Sequence, residues 1–559
     1  MKLTDCQPFQ SFYRLLLSTI ALLTCSYSYA QHESNGEKLF SLHCETCHTF
    51  KEDGIGPQLG GLKGVLDQKY LTAFINSPQA MINAKNPRAL EKYKKFGTIM
   101  PNFNHLKPKE IQELIAFILE KPAPKVTAAA QKKGLTNPIP APIQMATISL
   151  NLKKVIQFPA TNTIKPRTRI NKMGVHPITK ENLVADSQGK IYILNANNEP
   201  DVFFDVMNHF PKFTNVPGLA TGLGSFAFHP DFAQNGLFYT THTEPNNQVK
   251  ADFAYADSIP VKLQWIINEW VIDNKTSRTV TGKPRELLRI NVVTQIHGLQ
   301  EIAFNPYAKP GDEDYGLMYV CEGDGGAVEQ GYAFIPKRKN HVWGKVLRID
   351  PTGRNSKNGQ YGIPKSNPIG RFGLDEIYAA GFRNPNRISW TKDGKVLVTN
   401  IGQHEIESLY LLKPGKDYGW PNREGAFLID STGTINTVFP LPANDAQFGY
   451  TYPVAQFDHD EGNAIMGGFE YIGSQVPELK GKYIFGDVVK GRVFYVNLNE
   501  IKEGSQATIH EFPIMLDHKP TTLKELCKVV KVDFRIGQDA SGELYIFTRS
   551  DGMMYKIAK

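Results

Sequence analysis

Cys44, Cys47 and His48 stand together in Cys44-Glu45-Thr46-Cys47-His48. Two thiols and an imidazole at this spacing suit a redox-active dithiol, a zinc site, or covalent attachment of a c-type haem. A thioredoxin-like dithiol needs a βαβ pattern around it, and a structural zinc needs a second pair of ligands at similar spacing. The sequence supplies neither. The remaining reading is one haem c, with thioether bonds from Cys44 and Cys47 and with His48 as axial ligand to the iron. Met100, beside Pro101 in "KFGTIMPNF", is the expected sixth ligand, a soft thioether; His43 and His105 are the alternatives.

The elements that must position these groups follow from residues 31–122. "NGEKLFSLHC" reads as an amphipathic helix offering Leu39, Phe40 and Leu42 to a core. "GIGPQLGGL" is a turn-rich loop suited to close passage by the haem edge, and "KPKEIQELIAFILEK" aligns Ile111, Leu114, Ile115 and Ile118 on one helical face. Together they resemble a complete class I cytochrome c, a small all-α domain. Residues 123–149, rich in Pro, Ala and Lys, read as a linker or a loosely docked strap. Ahead of the domain, residues 1–30 carry Lys2, Arg14, an apolar run and the small-x-small end Ser28-Tyr29-Ala30. They read as a secretory signal peptide cleaved near Ala30, which predicts a periplasmic or secreted protein. Lipid attachment at Cys25 is the alternative, with Thr24 a poor match to it.

The 559 residues call for more than one folded unit. The formal charge of +8 is spread among 55 acidic residues, which points to a solvated basic surface and away from nucleic acid. After the leader no run of 18 apolar residues predicts a membrane span. Cys321 and Cys527 remain outside the haem motif, and the sequence does not give their separation.

From residue 150 to 559 the texture is short β runs broken by Gly, Pro, Asn and Asp. One phrase recurs in "SFAFHPDFAQNGLFYTTHT", "EIAFNPYAKPGDEDYGLMYVCEGDG", "RISWTKDGKVLVTNIGQ" and "DFRIGQDASGELYIFTRSDG", with a weaker copy in "MGVHPITKENLVADSQGKIYILN". A repeated hairpin predicts radial four-stranded blades, and the length suits six. The expected fold is therefore mainly β, a six-bladed β-propeller preceded by a small all-α cytochrome c domain.

Residues 150–559 are similar throughout to the soluble quinoprotein glucose dehydrogenase and aldose sugar dehydrogenase family, also called the glucose/sorbosone dehydrogenase family. The resemblance rests on "GLGSFAFHPDF", "WGKVLRIDPTG", "YGIPKSNP", "EIYAAGFRNPNRISW", "KDYGWPNREG", "YPVAQFDHDEGNAIMGG" and "GKYIFGDVVKGRVF". It implies a six-bladed propeller that uses pyrroloquinoline quinone (PQQ) and calcium to oxidise a sugar. His297 falls at the family's catalytic base, Asp324 at the carboxylate that orients it, and Arg383 and Asn384 at the pair contacting the quinone carbonyls. Lys490 and Arg492 match basic residues that pair with the PQQ carboxylates. The carbonyls of Gly402 and Gln403 fall near the cofactor's calcium, and Glu407 and Tyr418 near a structural calcium. Three positions depart from the family: Ala220 and Ile401 stand where glutamines are found, and Ile472 where some members carry a lysine.

The expectation is a periplasmic quinohaemoprotein that oxidises an aldose sugar or related alcohol at the propeller and passes electrons to its own haem, then to another cytochrome or an oxidase. The alternative is a non-catalytic propeller binding carbohydrate or protein, attached to an electron-transfer cytochrome.

Overall fold

The computed structural model describes residues 34–559 except 46, 51–52, 54–55, 97–99, 125–133, 164–165, 217, 219, 247–248, 432, 434 and 530. The expected signal peptide, its cleavage near Ala30 and Cys25 lie outside the described residues.

The first domain is built from helices Asn35–His43, Gln68–Asn76, Pro78–Asn83, Pro87–Phe96 and Pro108–Glu120. Ser34 starts the first of them by accepting from the Glu37 amide. The first and last helices cross at Gly36, where a Cβ would lie 2.2 Å from the Glu113 carbonyl oxygen. Glycine therefore permits the close crossing. Leu39 and Phe40 then meet Leu114, Phe117 and Ile118 in one apolar cluster. Leu42, expected in that core, is instead exposed. At about 100° per residue it lies roughly a third of a turn away from the stripe formed by Gly36, Leu39 and Phe40.

The remainder is a ring of six antiparallel blades. Their innermost strands are Ile170–Val175, Leu223–Phe228, Leu299–Phe304, Pro385–Trp390, Ile465–Glu470 and Phe534–Gln538. Each touches the next around the ring, and the sixth touches the first. The repeated phrases in the sequence are the two innermost strands of a blade, as in Pro385–Trp390 paired with Val396–Asn400. Apolar side chains fill the wedges between blades: Trp265, Ile267 and Leu288 of blade two share a cluster with Ile302, Val320 and Leu347 of blade three. Ring closure joins the two ends of the propeller, because Leu150–Gln157 pairs antiparallel with the C-terminal Met553–Ala558.

Upstream of that strand the chain is strapped to the propeller. The Leu135 amide donates to the Val438 carbonyl, Ile139 to Asp458 and Ile143 to Glu461. Gln144–Met145 then adds to blade five as a parallel strand. Cys321 and Cys527 sit in different apolar clusters and are not bridged.

This topology creates a mouth. All six innermost strands begin at one end of the ring, and the antiparallel second strands finish there. Residues just before the former and at or just after the end of the latter therefore converge: Arg169, His297, Asn384 and Asp533 in the first group, Asp324, Gln403, Asp487 and Arg549 in the second.

Candidate functional site

In the first domain His48 Nδ1 lies 2.7 Å from the Pro57 carbonyl oxygen. That carbonyl can only accept, so Nδ1 carries the proton and Nε2 is left for a metal. Gly56 lets the loop close on the ring, since a Cβ there would lie 2.5 Å from His48 Cε1. Cys44 and Cys47 are not bridged to each other, and burial pushes both thiols up to about 12. A redox-active dithiol needs the opposite shift. Met100 and Cys44 pack against the same apolar cluster. The alternative ligands His43 and His105 stack edge-on to each other, with ring centroids 5.8 Å apart. Cys44, Cys47, His48 and Met100 thus form a donor set that fits a covalent haem.

At the propeller mouth the structure brings His297, Asp324 and Arg383 together. His297 Nδ1 is 3.0 Å from Asp324 Oδ1, which also accepts from the Gly326 amide at 2.9 Å. Asp324 Oδ2 accepts from the Trp420 indole at 3.1 Å. Both carboxylate oxygens are engaged, so the imidazole donates from Nδ1 and keeps Nε2 as an acceptor. The backbone is shaped for this: His297 has φ 52°, a left-handed conformation costly for a residue with a side chain. Its carbonyl accepts from the Gly325 amide, and a Cβ on Gly323 would lie 2.1 Å from that oxygen. The Asp324 amide donates to the Arg383 carbonyl at 2.8 Å, which ties blades three and four.

Arg383 is buried and held at every nitrogen. Nε donates to Gln403 Oε1 at 2.7 Å, Nη1 to the Gly402 carbonyl at 2.5 Å, and Nη2 to Glu329 Oε1 at 2.5 Å. Its neighbour Asn384 is buried with Oδ1 unpartnered. An orphaned buried acceptor costs roughly 1–3 kcal/mol and marks a place where a ligand donor would be welcome. A fixed cation, an oriented imidazole and this orphan fit a quinone and a polyol.

The calcium positions are less apt. The Gly402 carbonyl faces the Arg383 guanidinium, and among the described residues no group of three or more His, Cys, Asp and Glu side chains could hold a metal. Glu407 is fully buried and bonded to His459 Nε2 at 3.0 Å and the Ile465 amide at 2.8 Å. The Tyr418 hydroxyl donates to the Leu411 carbonyl and accepts from the Lys413 amide. The Gly402 carbonyl, Glu407 and Tyr418 therefore each have a structural role of their own, and the Gln403 side chain anchors Arg383. Lys490 and Arg492 are likewise engaged elsewhere. Lys490 Nζ donates to the carbonyls of His459 and Asp460, and Arg492 is clamped between Glu461 and Glu511.

The departures from the family have different meanings in space. Ile401 lies beside the Arg383 anchor, its carbonyl 3.5 Å from Nη1. Ala220 lies in the loop before blade two, at the mouth. Ile472 follows an innermost strand and abuts Gly542 in the hairpin turn of blade six. Both features belong to the far end of the ring, so Ile472 removes nothing from the mouth. Sequence reasoning missed Glu329, which lies just after a recognised phrase, and Trp420, which lies inside "KDYGWPNREG". It also missed Glu322, fully buried with both carboxylate oxygens unpartnered and pushed well up by burial and by the Asp324 charge.

The two domains meet over this mouth. Lys262 of blade two bonds Ser41 and lies 3.3 Å from Glu45, while Asn436 donates to the Asp53 carbonyl. Cys47 is close enough to feel the charges of Glu329 on one bank and Lys531 on the other. The part of the first domain that carries Cys47 is therefore turned toward Glu329, the partner of Arg383.

The sequence matches the Glucose / Sorbosone dehydrogenase family over residues 171–556 and the Cytochrome c family over residues 33–121. The HIPL1 protein of Arabidopsis thaliana is 27% identical over 393 residues, 60% of this chain and 53% of its own length. Quinoprotein glucose dehydrogenase B of Acinetobacter calcoaceticus is 29% identical over 248 residues, 42% of this chain and 46% of its own. The chain spans about half the length of these curated relatives. The soluble aldose sugar dehydrogenase of Escherichia coli, solved in its apo-form, superposes with a TM-score of 0.53 at 16% identity, covering 73% of this chain and 98% of that one. That likeness speaks for the fold. By sequence match over most of its length, the chain belongs to the glucose/sorbosone dehydrogenase family, with a cytochrome c domain fused ahead of its propeller.

Proposed function

We propose that the protein is an exported quinohaemoprotein dehydrogenase that oxidises an aldose sugar or related alcohol at the propeller mouth and delivers the electrons to its own haem. The observation that carries this reading is the His297–Asp324–Arg383 group at the propeller mouth, whose Glu329 anchor lies within electrostatic reach of Cys47. PQQ, when bound, supplies the two-electron acceptor that takes hydride from the substrate carbon and releases electrons singly. His297 Nε2 accepts the hydroxyl proton of the sugar while Asp324 holds the ring and stabilises the imidazolium. Arg383 keeps positive charge where negative charge develops on the acceptor oxygens, and its three anchors prevent reorganisation. Cys44 and Cys47 would hold the haem by thioethers, with His48 and Met100 on its iron. Covalent fusion gives the haem a high effective concentration at the mouth, and Lys262 fixes its approach. A further cytochrome or an oxidase then takes electrons from the haem. Among the described residues no helix is long and apolar enough to cross a membrane.

The test uses the haem as detector. The full chain, matured with haem and supplied with PQQ, with and without calcium, is mixed with aldoses and simple alcohols while the reduced-haem bands are followed. One substrate class should reduce the haem only when PQQ is present. If the haem stays oxidised across the panel although dithionite reduces it, and dye acceptors show no turnover, the enzymatic reading fails and a binding propeller takes its place.

A further inference from the structure

On the bank of the mouth opposite His297, blades six and one place two arginines side by side. Arg169 immediately precedes the innermost strand of blade one, and Arg549 immediately follows the second strand of blade six. Arg549 is only 5% exposed, yet its Nε has no partner, and its ion pair to Asp533 is a long 3.7 Å. Arg169 donates from Nη1 to the Asn215 carbonyl at 3.1 Å, and its Nε is also buried and unpartnered. The guanidinium of Arg169 fills the space beside Gly218, where a Cβ would lie 1.7 Å from Nη1. This is the loop that carries Ala220.

The charge here does not balance. Arg169, Lys531, Arg535 and Arg549 surround Asp533, and Asp186, which also acts on Arg169, is already bonded to Thr161 and to the amides of Arg169 and Gln188. Burial and the like charge of Arg549 lower Arg169 to about 10, and burial lowers Arg535 to about 9 despite Asp533. Holding surplus guanidinium charge in a buried site with open Nε–H donors is costly unless an anion completes it.

We propose that Arg169 and Arg549 form an anion site on this bank that binds a carboxylate group of the molecule occupying the mouth. The open Nε–H edges are suited to forked carboxylate recognition. Two molecules could present that group: the quinone cofactor, a tricarboxylate, or an acidic sugar substrate. The inference rests on the mouth being the cofactor and sugar site, and its test separates the two ideas.

The full-length haem protein is compared with Arg549→Gln, Arg169→Gln and Arg549→Lys. PQQ binding is measured by equilibrium dialysis, turnover with neutral aldoses against the matching uronates, and thermal stability with and without citrate. Loss of one charge-assisted fork predicts a fall of roughly 10- to 100-fold. If the cofactor is the source, PQQ affinity falls by that factor while KM for neutral sugar at saturating PQQ is unchanged. If an acidic sugar is the source, PQQ affinity holds and only uronate kcat/KM falls. If wild type neither binds PQQ nor oxidises any sugar, the proposed function fails; citrate stabilisation lost in Arg549→Gln would still support the anion site. Should PQQ, uronate and citrate all fail to distinguish wild type from the three variants, the anion site is overturned. The lysine variant keeps the charge and loses the fork, so it guards against a glutamine variant that does not fold.

Discussion

Replacing Asp324 by Asn tests the proposed catalytic group directly, and the hydrogen bonds decide how the amide must sit. Asp324 Oδ1 accepts from both His297 Nδ1 and the Gly326 amide, whereas Oδ2 accepts from the Trp420 indole. The amide oxygen of Asn should take the first position, because two donors demand it there, and its NH2 then faces one indole N–H. The imidazole keeps its tautomer and Nε2 remains an acceptor. What is lost is the negative charge 3.0 Å from the ring. At an effective dielectric constant of about 20, that attraction is worth about 5.5 kcal/mol when the ring is fully protonated. A transition state with the proton about half transferred should lose about 3 kcal/mol, or roughly 100-fold in rate. The opposed indole and amide donors should cost a further 1–3 kcal/mol of stability without touching the chemical step. The assay is single-turnover haem reduction at saturating sugar, with folding checked by the haem spectrum. A fall of less than about threefold in a folded, PQQ-loaded variant would refute the electrostatic role of Asp324. A fall near 10⁴ would refute the amide orientation, since an inverted imidazole tautomer costs about that much.

Three other outcomes are expected. Met100→Ala should lower the haem reduction potential in a redox titration, because a thioether ligand raises it; an unchanged potential would move the sixth-ligand role to His43 or His105. Glu322 binds its proton more tightly folded than unfolded, through burial and the Asp324 charge. Its contribution is therefore complete below the ordinary carboxylate pKa of about 4.3 and is lost as pH rises. Glu322→Gln should flatten the decline in urea resistance between pH 5 and 8, and an identical decline in both proteins would count against this. Lys262→Glu sets like charges opposite Glu45 and should slow sugar-driven haem reduction several-fold while dithionite reduction is unaffected. Adding Glu45→Lys should restore the rate, and failure of that rescue would mean the contact does not position the domains.

The haem motif was legible because its chemistry is local. Cys44, Cys47 and His48 lie within five residues, and the orientation of the His48 ring needs only a carbonyl nine residues on, at Pro57. The propeller was legible through repetition, since each phrase is one inner hairpin. Blade five was not among the repeated phrases: its inner strands, Ile465–Glu470 and Lys482–Asp487, are joined by residues 471–481, which carry glycines but no aspartate. His297, Asp324, Arg383 and Asn384 were found by resemblance, and the structure adds what joins them: the Gly323–Gly326 turn and the amide of Asp324 on the Arg383 carbonyl. Lys490 and Arg492 looked suited to a cofactor by resemblance. They stand in the connection between Lys482–Asp487 and Val493–Asn497, where the acidic residues Glu461 and Glu511 reach Arg492 from elsewhere in the fold.

The sequence by itself determined the Cys44–Cys47–His48 motif, the order of cytochrome and propeller, and the residue types available at the propeller mouth, because those follow from local spacing and repeated pattern. Only the tertiary structure decided which charges are paired and which are left over. Ring closure brings Arg169 against Arg549 across 380 residues of chain, and docking carries Cys47 over Glu329 and Lys531. The physical reason is that electrostatic balance depends on separation in space and on burial. In a ring whose first strand completes the last blade, neither can be read from position along the chain.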